Sequence, residues 1–107
     1  MNTSINNFDS LEQMIYENNL RISSIDFHKE INMMLILLNT RMVLKAWIYN
    51  FPLLKNASES QLKNYRLIGG GTGIHWPELD EDLSLKRFLL DEFKRQVIGG
   101  TTYAMSA

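Results

Sequence analysis

The sequence predicts an α+β fold, in which short capped helices accompany strands. Capped helical stretches stand near both ends and in the middle: Asp9 with Glu12, Ser58 with Gln61, and Ser84 or Asp82 ahead of Leu85, Phe88, Leu89 and Phe93. Between them, Leu20 to Phe27 and Ile74 to Trp76 carry strand patterning, the second bounded by a glycine run and by Pro77. A length of 107 residues fits one domain with a real but modest core.

Met1 to Asn7 is polar and is expected to fray. Asp9 offers an N-cap with Glu12 three residues on, a capping-box spacing. Leu11, Met14 and Ile15 recur at i, i+3, i+4, so a helix is predicted over Ser10 to Glu17. So short a helix is marginal alone and is expected to dock over the domain edge; the alternative is a partner-binding arm. In the strand that follows, Leu20 and Ile22 share one face while Ile25 and Phe27 share the other. The side-chain period of a strand is two, so the face switches at Ser23-Ser24, and a bulge there explains it. His28-Lys29-Glu30 is a polar turn.

Ile31 to Leu38 is apolar on both parities apart from Asn32, and Met42 to Ile48 is again mostly apolar. Two readings compete: an antiparallel hairpin across Asn39-Thr40-Arg41, or one Met/Leu-rich helix. The turn lacks the glycine that a tight hairpin prefers. Phe51-Pro52 is expected to stop regular structure. Ser58 then caps a short helix over Ser60 to Tyr65, whose apolar contacts are Leu62 and Tyr65. Arg66 to Ile68 leads into the glycines, and the strand leaving them ends at Pro77, which cannot donate to a central ladder. Glu78, Asp80, Glu81 and Asp82 come next, some suited to the N-terminus of the last helix and the rest solvated. Gly99-Gly100 is expected to terminate that helix. The predicted organisation is a helical extension over 1–19, a single α+β domain over 20–98 and a flexible tail over 99–107.

Hydrophobic residues make up 45% of the chain and charged residues 21%, near globular averages. The net charge of −1 exerts no general pull toward nucleic acid or anionic lipid. The absence of cysteine removes disulfides, thiolate metal sites and cysteine nucleophiles together. The N-terminus has no basic flank and no apolar core of a signal peptide. The most apolar run, Ile31 to Tyr49, is interrupted by Asn39-Thr40-Arg41 and Lys45, whereas a spanning helix needs about 20 nearly uncharged residues. A cytoplasmic location with no membrane partner is therefore the expectation.

The segment Gly69-Gly70-Gly71-Thr72-Gly73 invites a phosphate-loop reading, but phosphate loops place glycines at a helix N-terminus. Here the run leads into an apparent strand with no Lys-Ser/Thr after it. A turn needing positive φ, or a bulge letting two backbones approach closely, is the better account. His28 and His75 have no partner at ligand spacing, and Asp80 and Asp82 lack the rest of a calcium loop, so no metal or other cofactor is expected. No nucleophile–base–orienter set is visible, and the expectation is a non-enzyme. Trp47 and Trp76 are core candidates by type, yet Trp76 beside Pro77 at a strand end could stand half exposed and anchor a protein partner.

From Ile22 to about Leu90 the chain resembles a bacterial family, domain of unknown function 2442. The residues that carry the resemblance are Asn56-Ala57-Ser58, Gln61, Tyr65-Arg66-Leu67-Ile68-Gly69-Gly70-Gly71 and the run from Gly73-Ile74-His75-Trp76-Pro77 through Glu78-Leu79-Asp80-Glu81-Asp82-Leu83-Ser84. The resemblance implies strands at Ile31 to Leu38 and Met42 to Ile48, and so a small antiparallel sheet of three to four strands packed against two or three short helices. Three departures stand out. Ser58-Glu59 replaces a usual Thr-Pro, Asn39-Thr40-Arg41 replaces an Asp-Gly turn, and Lys86-Arg87 replaces Glu-Gly, which implies a longer last helix here. The family has no established biochemical activity. Some relatives resemble the smaller partner of toxin–antitoxin-like gene pairs, and some are fused to a helix-turn-helix, of which this sequence has no counterpart.

The functional expectation is a protein–protein interaction module, antitoxin-like in the sense of masking another protein. Its contact is assigned to Gly69, Gly70, Gly71, Gly73, His75, Trp76, Asp80 and Asp82, with Trp76 as anchor and the acids facing a basic partner. The alternative is a nucleic-acid-binding regulator, alone or as a homo-oligomer. Arg21, Lys29, Arg41, Lys45, Lys55, Lys63 and Arg66 all precede the acidic stretch, and a patch of them would touch phosphates. A ligand sensor built on the glycine turn is a third, weaker reading.

Overall fold

The structure is a computed structural model; it describes the backbone of residues 3–106 and the side chains of residues 10–98. The first helix, α1, spans Thr3–Glu17. It begins earlier than expected, so Asp9 lies inside the helix instead of capping it; of the stretch expected to fray, Thr3 to Asn7 belongs to the same helix, and Met1 and Asn2 lie outside the described residues. Among its described side chains Ile15 is the buried one, and α1 docks against the last helix, where Lys86 Nζ meets Glu12 Oε2 at 3.1 Å. Met14, expected on the same face, is exposed. The helix ends in a left-handed Asn19, with Asn19 N–H donating to Tyr16 O and Leu20 N–H to Ile15 O at 2.8 Å. That is the 5→2 and 6→1 pattern of a Schellman cap, with Asn in the glycine position.

Among the described residues six strands form two antiparallel sheets of three, in the orders β1-β2-β3 and β4-β5-β6. The first sheet holds β1 (Ile22–His28), β2 (Met33–Leu38) and β3 (Val43–Trp47). Register in β1 slips between Ile22 and Ser24, the bulge that the face switch at Ser23-Ser24 requires. The stretch left open between hairpin and helix is a hairpin. Met34, Ile36 and Leu38 face the core on β2, and Leu44 and Ala46 on β3. Three residues turn it: Arg41 N–H donates to Leu38 O and Leu38 N–H to Met42 O, with Arg41 left-handed at φ +74°. An arginine thus occupies the position where this loop type favours glycine. Asn39 earns its place in the turn by bonding the junction ahead of β1, accepting from Arg21 N–H and donating through Nδ2 to Asn19 O.

Beyond β3 a 3-10 turn over Ile48–Asn50 leads to α2 (Pro52–Lys55). Pro52 therefore opens a short helix instead of ending regular structure, because proline suits a first helical turn. The third helix, α3 (Glu59–Lys63), carries the expected capping box: Ser58 Oγ accepts from Gln61 N–H and Gln61 Oε1 from Ser58 N–H. The second sheet holds β4 (Arg66–Ile68), β5 (Gly73–Trp76) and β6 (Glu81–Ser84). Two of the acids expected to cap the last helix or stay solvated, Glu81 and Asp82, lie in this third strand, whose buried residue is Leu83. The last helix, α4, spans Leu85–Ser106, with Ser84 Oγ accepting from Arg87 N–H as its cap. It does not stop at Gly99-Gly100; interior glycine costs about 1 kcal/mol and does not forbid a helix. Leu85 and Phe88 are buried, whereas Phe93, predicted in the same stripe, is 65% exposed.

Both sheets share one core. Ile22, Ile25, Met34 and Ile36 meet Ile74, Trp76 and Leu83, with Leu54, Leu62 and Phe88 closing the sides. Phe27 stands edge-on to both Tyr65 and Trp76. No helix among the described residues is long and apolar enough to cross a membrane.

Candidate functional site

The β4–β5 turn positions the residues singled out from sequence, and it acts as a joint. Gly69, Gly70 and Gly71 all take positive φ. Gly71, at φ +106°, is the one pressed against another strand: a Cβ there would stand 2.8 Å from Ile22 O and 3.0 Å from Arg21 Cβ. The close approach lets Ile22 N–H donate to Gly71 O at 2.7 Å, which fastens the first strand of one sheet to the turn of the other. One residue on, Thr72 O accepts from Leu85 N–H at the start of α4, 2.9 Å away. Tyr65 Oη, just ahead of β4, accepts from Ile25 N–H at 3.0 Å. The run joins strand to strand, so its amides do not gather at a helix N-terminus in the manner of a phosphate loop.

Trp76 corrects the expectation of a surface anchor. On β5 it shares parity with Ile74, and both point inward. Its ring is fully buried and Nε1–H donates to Leu62 O at 2.9 Å, so the indole fixes α3 to the sheet. Gly71 and Gly73 are buried as well. Of the eight residues assigned to partner contact, these three present no surface for one.

His75 has the opposite parity and shows on the outer face of the second sheet. It lies between Arg66 on β4 and Asp82 on β6, directly opposite each. Its Nδ1 hydrogen-bonds Asp82 Oδ1 at 2.5 Å. Asp80 stays exposed in a left-handed turn, which aspartate tolerates. The acids do not form one patch: Glu78 accepts from Asn64 Nδ2, Glu81 from Asp82 N–H, and Asp82 faces His75. Among the described residues no group of three or more His, Asp and Glu side chains is arranged to hold a metal.

Two of the seven cations ahead of the acidic stretch have partners of their own. Arg21 lies over the Tyr16 ring and donates to Leu20 O, and Lys63 pairs with Glu59 at 2.9 Å. The Lys63 contact raises the lysine pKa and lowers that of Glu59, chiefly through their hydrogen bond. Elsewhere, His28 sits between Asp26 (2.9 Å) and Glu30 (3.5 Å), and the Asp26 hydrogen bond raises its pKa above 6.5.

The exposed indole is Trp47. It lies at the end of β3, 39% exposed, with its ring 6.3 Å from that of Tyr49. Beside it runs a groove of about 600 Å³ between β3 and α4. Ala46, Phe51 and Phe88 form its apolar part, and Lys45, Arg87, Lys94 and Arg95 supply four cations against one acid, Asp91. Arg87 lies over the Phe51 ring at 5.1 Å and pairs with Asp91 at 3.2 Å. Arg95 pairs with Glu92 and donates from Nη2 to Lys45 O at 2.8 Å. Glu92 is held below the usual carboxylate range, first by the Gln96 hydrogen bond and then by that of Arg95. Neither the outward parity of Val43, Lys45 and Trp47 nor the helical spacing of Arg87, Asp91, Lys94 and Arg95 marks a site alone. The groove exists only once α4 is laid beside β3.

The outer face of the first sheet carries an apolar strip along β2, while β1 turns Ser24, Asp26 and His28, and β3 turns Lys45, to the same side. Met33, Leu35 and Leu37 on β2, half-buried, stand opposite Trp47, Lys45 and Val43. This is why both parities read as apolar in the sequence.

Taken together, the molecule is a small α+β domain built on two three-stranded sheets joined at a glycine turn, with an apolar, cation-rimmed groove on one flank. Residues 22–92 match the family model described as a protein of unknown function, DUF2442, and the chain belongs to that family. Among solved structures it is similar to a protein of unknown function from Rhodospirillum rubrum. The TM-score is 0.60 at 25% identity, over 67% of this chain and 87% of that one. It is also similar in fold to an uncharacterised protein from Chromobacterium violaceum, with TM-score 0.62 at 21% identity over 83% and 81% of the two chains. No curated protein matches it.

Proposed function

We propose that this chain is a protein-binding module, an antitoxin-like partner in the sense that it covers a surface of another protein rather than transforming a substrate. One observation carries the reading: an apolar strip on the outer face of the first sheet, Met33, Leu35, Leu37 and Val43, which runs out to the exposed Trp47. An antiparallel sheet that packs on one side ordinarily turns polar residues to water on the other. An apolar strip there, flanked by Asp26 on β1 and Lys45 on β3, marks a surface made to be covered. Trp47 takes over the anchoring role first assigned to Trp76, since aromatic side chains at the centre of an interface dominate its energetics.

The test is purification of the tagged chain from its host at native expression. A stoichiometric complex with one other protein, weakened at least tenfold by Trp47→Ala, is expected. Recovery of monomer or self-oligomer alone would refute the reading. A second reading, nucleic-acid binding, is favoured by the cations beside Trp47 and Tyr49. It predicts a steep loss of DNA affinity with salt, and absence of binding at low salt removes it.

A further inference from the structure

We propose that the groove between β3 and α4 takes an extended, acidic segment of the protein partner, added to the first sheet as a fourth strand along β3. The proposal rests on the protein-binding reading above and names its site and the chemistry of its ligand.

The backbone supplies the first argument. β3 is an edge strand. Leu38 N–H donates to Met42 O and Ile48 N–H to Asn32 O, so the even-numbered residues of this hairpin bond across to β2. In an antiparallel pair the alternate residues turn their N–H and C=O the other way. Val43, Lys45 and Trp47 therefore aim donors and acceptors outward from the edge, on the side where α4 lies. Arg95 Nη2 holds the Lys45 carbonyl and must yield it to an incoming N–H. An edge that alternates donors with acceptors matches another peptide backbone. Phosphates only accept, and would leave the outward carbonyls unmatched.

Charge supplies the second argument. The chain as a whole carries −1, yet the groove gathers four cations; Asp91 pairs Arg87 and Glu92 pairs Arg95, which leaves a positive surplus of two. An acidic segment meets Lys45, Arg87 and Lys94 as it docks, and its alternate apolar residues reach Ala46, Phe51 and Phe88. The same charges exclude a second copy of this chain. Two β3 edges pairing antiparallel about their centres would set Lys45 opposite Lys45 and bring both cationic helices together. Like charges directly opposite are destabilising, and an edge lysine is a common guard against self-pairing.

The experiment uses the full chain and a short capped peptide alternating Glu with Leu, matched in length to β3, with binding read by calorimetry and by Trp47 fluorescence. Four controls accompany it: the same peptide with Lys for Glu, a version N-methylated on alternate amides, a single-stranded oligonucleotide of equal charge, and the Lys45→Glu/Lys94→Glu variant checked for an unchanged melting curve. The acidic peptide is expected to bind, with affinity falling as salt rises. The variant should weaken it roughly tenfold or more, since rim charges steer and select the partner. The N-methyl peptide should not bind, and Trp47→Phe should abolish the optical signal while leaving the heat.

Equal binding of the lysine or the N-methyl peptide would overturn the proposal, as would preferential binding of the oligonucleotide. A peptide-free dimer that Val43→Asp dissolves would overturn it in favour of a second copy. A cellular complex that survives intact in the Lys45→Glu/Lys94→Glu variant would refute the groove and leave the protein-binding reading standing. No complex with the wild-type chain would refute that reading itself.

Discussion

Replacing Gly71 by alanine tests whether the glycine run is a structural joint. Two effects add. First, φ at Gly71 is +106°, outside the left-handed well, where a side chain costs about 1–3 kcal/mol. Second, the new Cβ would lie 2.8 Å from Ile22 O and 3.0 Å from Arg21 Cβ, and neither neighbour is the far end of a flexible side chain. Relief requires β1 to move off the turn, which lengthens the 2.7 Å bond from Ile22 N–H to Gly71 O at a cost of about 1 kcal/mol. The sum is roughly 3 kcal/mol. Gly70 is the internal control: its φ is +68° and a Cβ there meets nothing within 4 Å. Gly70→Ala should therefore cost only about 1 kcal/mol. Urea unfolding followed by far-ultraviolet circular dichroism gives both values, and at roughly 4 °C per kcal/mol the melting points should separate by several degrees. Equal destabilisation at the two positions would refute the account of a backbone-to-backbone joint.

Three further outcomes follow from single residues. Trp76→Phe should cost roughly 2–4 kcal/mol, because it leaves a cavity and strips the Leu62 carbonyl of its donor; a urea midpoint close to wild type would count against the buried role. Arg41→Gly should stabilise the chain by about 0.5–1 kcal/mol, the relief at φ +74° exceeding the extra freedom of glycine in the unfolded state; a lowered melting point would contradict the hairpin geometry. In proton NMR the His28 ring should titrate above 6.5, and Asp26→Asn should bring it back toward that value. A group whose folded pKa is raised contributes stability in full below its unfolded pKa and loses it as pH rises through the folded one. The His28 contribution therefore fades above pH 6.5, and an unchanged titration in Asp26→Asn would assign the shift elsewhere.

Local signals were legible where one short stretch settles the matter. The Ser58–Gln61 box needs only four residues, and the Ser23-Ser24 bulge follows from which parity is apolar on either side. The glycine run could be denied a phosphate-loop role because the next residues were strand-like. Signals failed where a distant partner decides. Met33 to Trp47 carries an apolar strip on its outer face, so its period-two signal was erased and the helical propensity of Met and Leu competed with it. Glu81–Ser84 shows one buried residue among polar ones, too little to mark a strand without β5 beside it. The two tryptophans exchanged roles for a reason of parity. Trp76 falls in with Ile74 and turns inward, whereas Trp47 falls out of step with Leu44 and Ala46 and turns outward. The class α+β was readable, and the division of its strands into two sheets was not, because no single stretch shows that pairing stops between β3 and β4.

Joint and groove lie in different parts of the chain, and this makes stability separable from binding. The joint, Gly71 against Ile22 with Thr72 on Leu85, sits wholly inside the residues that match the family model. Part of the groove's helical wall does not: the match ends at residue 92, and Lys94, Arg95 and Ile98 stand beyond it. Lys94 is exposed, so its substitution should leave stability within about 0.5 kcal/mol. Charge reversal at Lys94 should then weaken the partner complex without moving the melting curve. Gly71→Ala should lower the melting curve yet leave the affinity of the folded molecules unchanged. Measuring both quantities on both variants crosses the two effects. If Gly71→Ala weakened the complex as much as Lys94→Glu did at a temperature where both are folded, the glycine turn itself would be part of the contact surface, and the separation argued from these distances would fail.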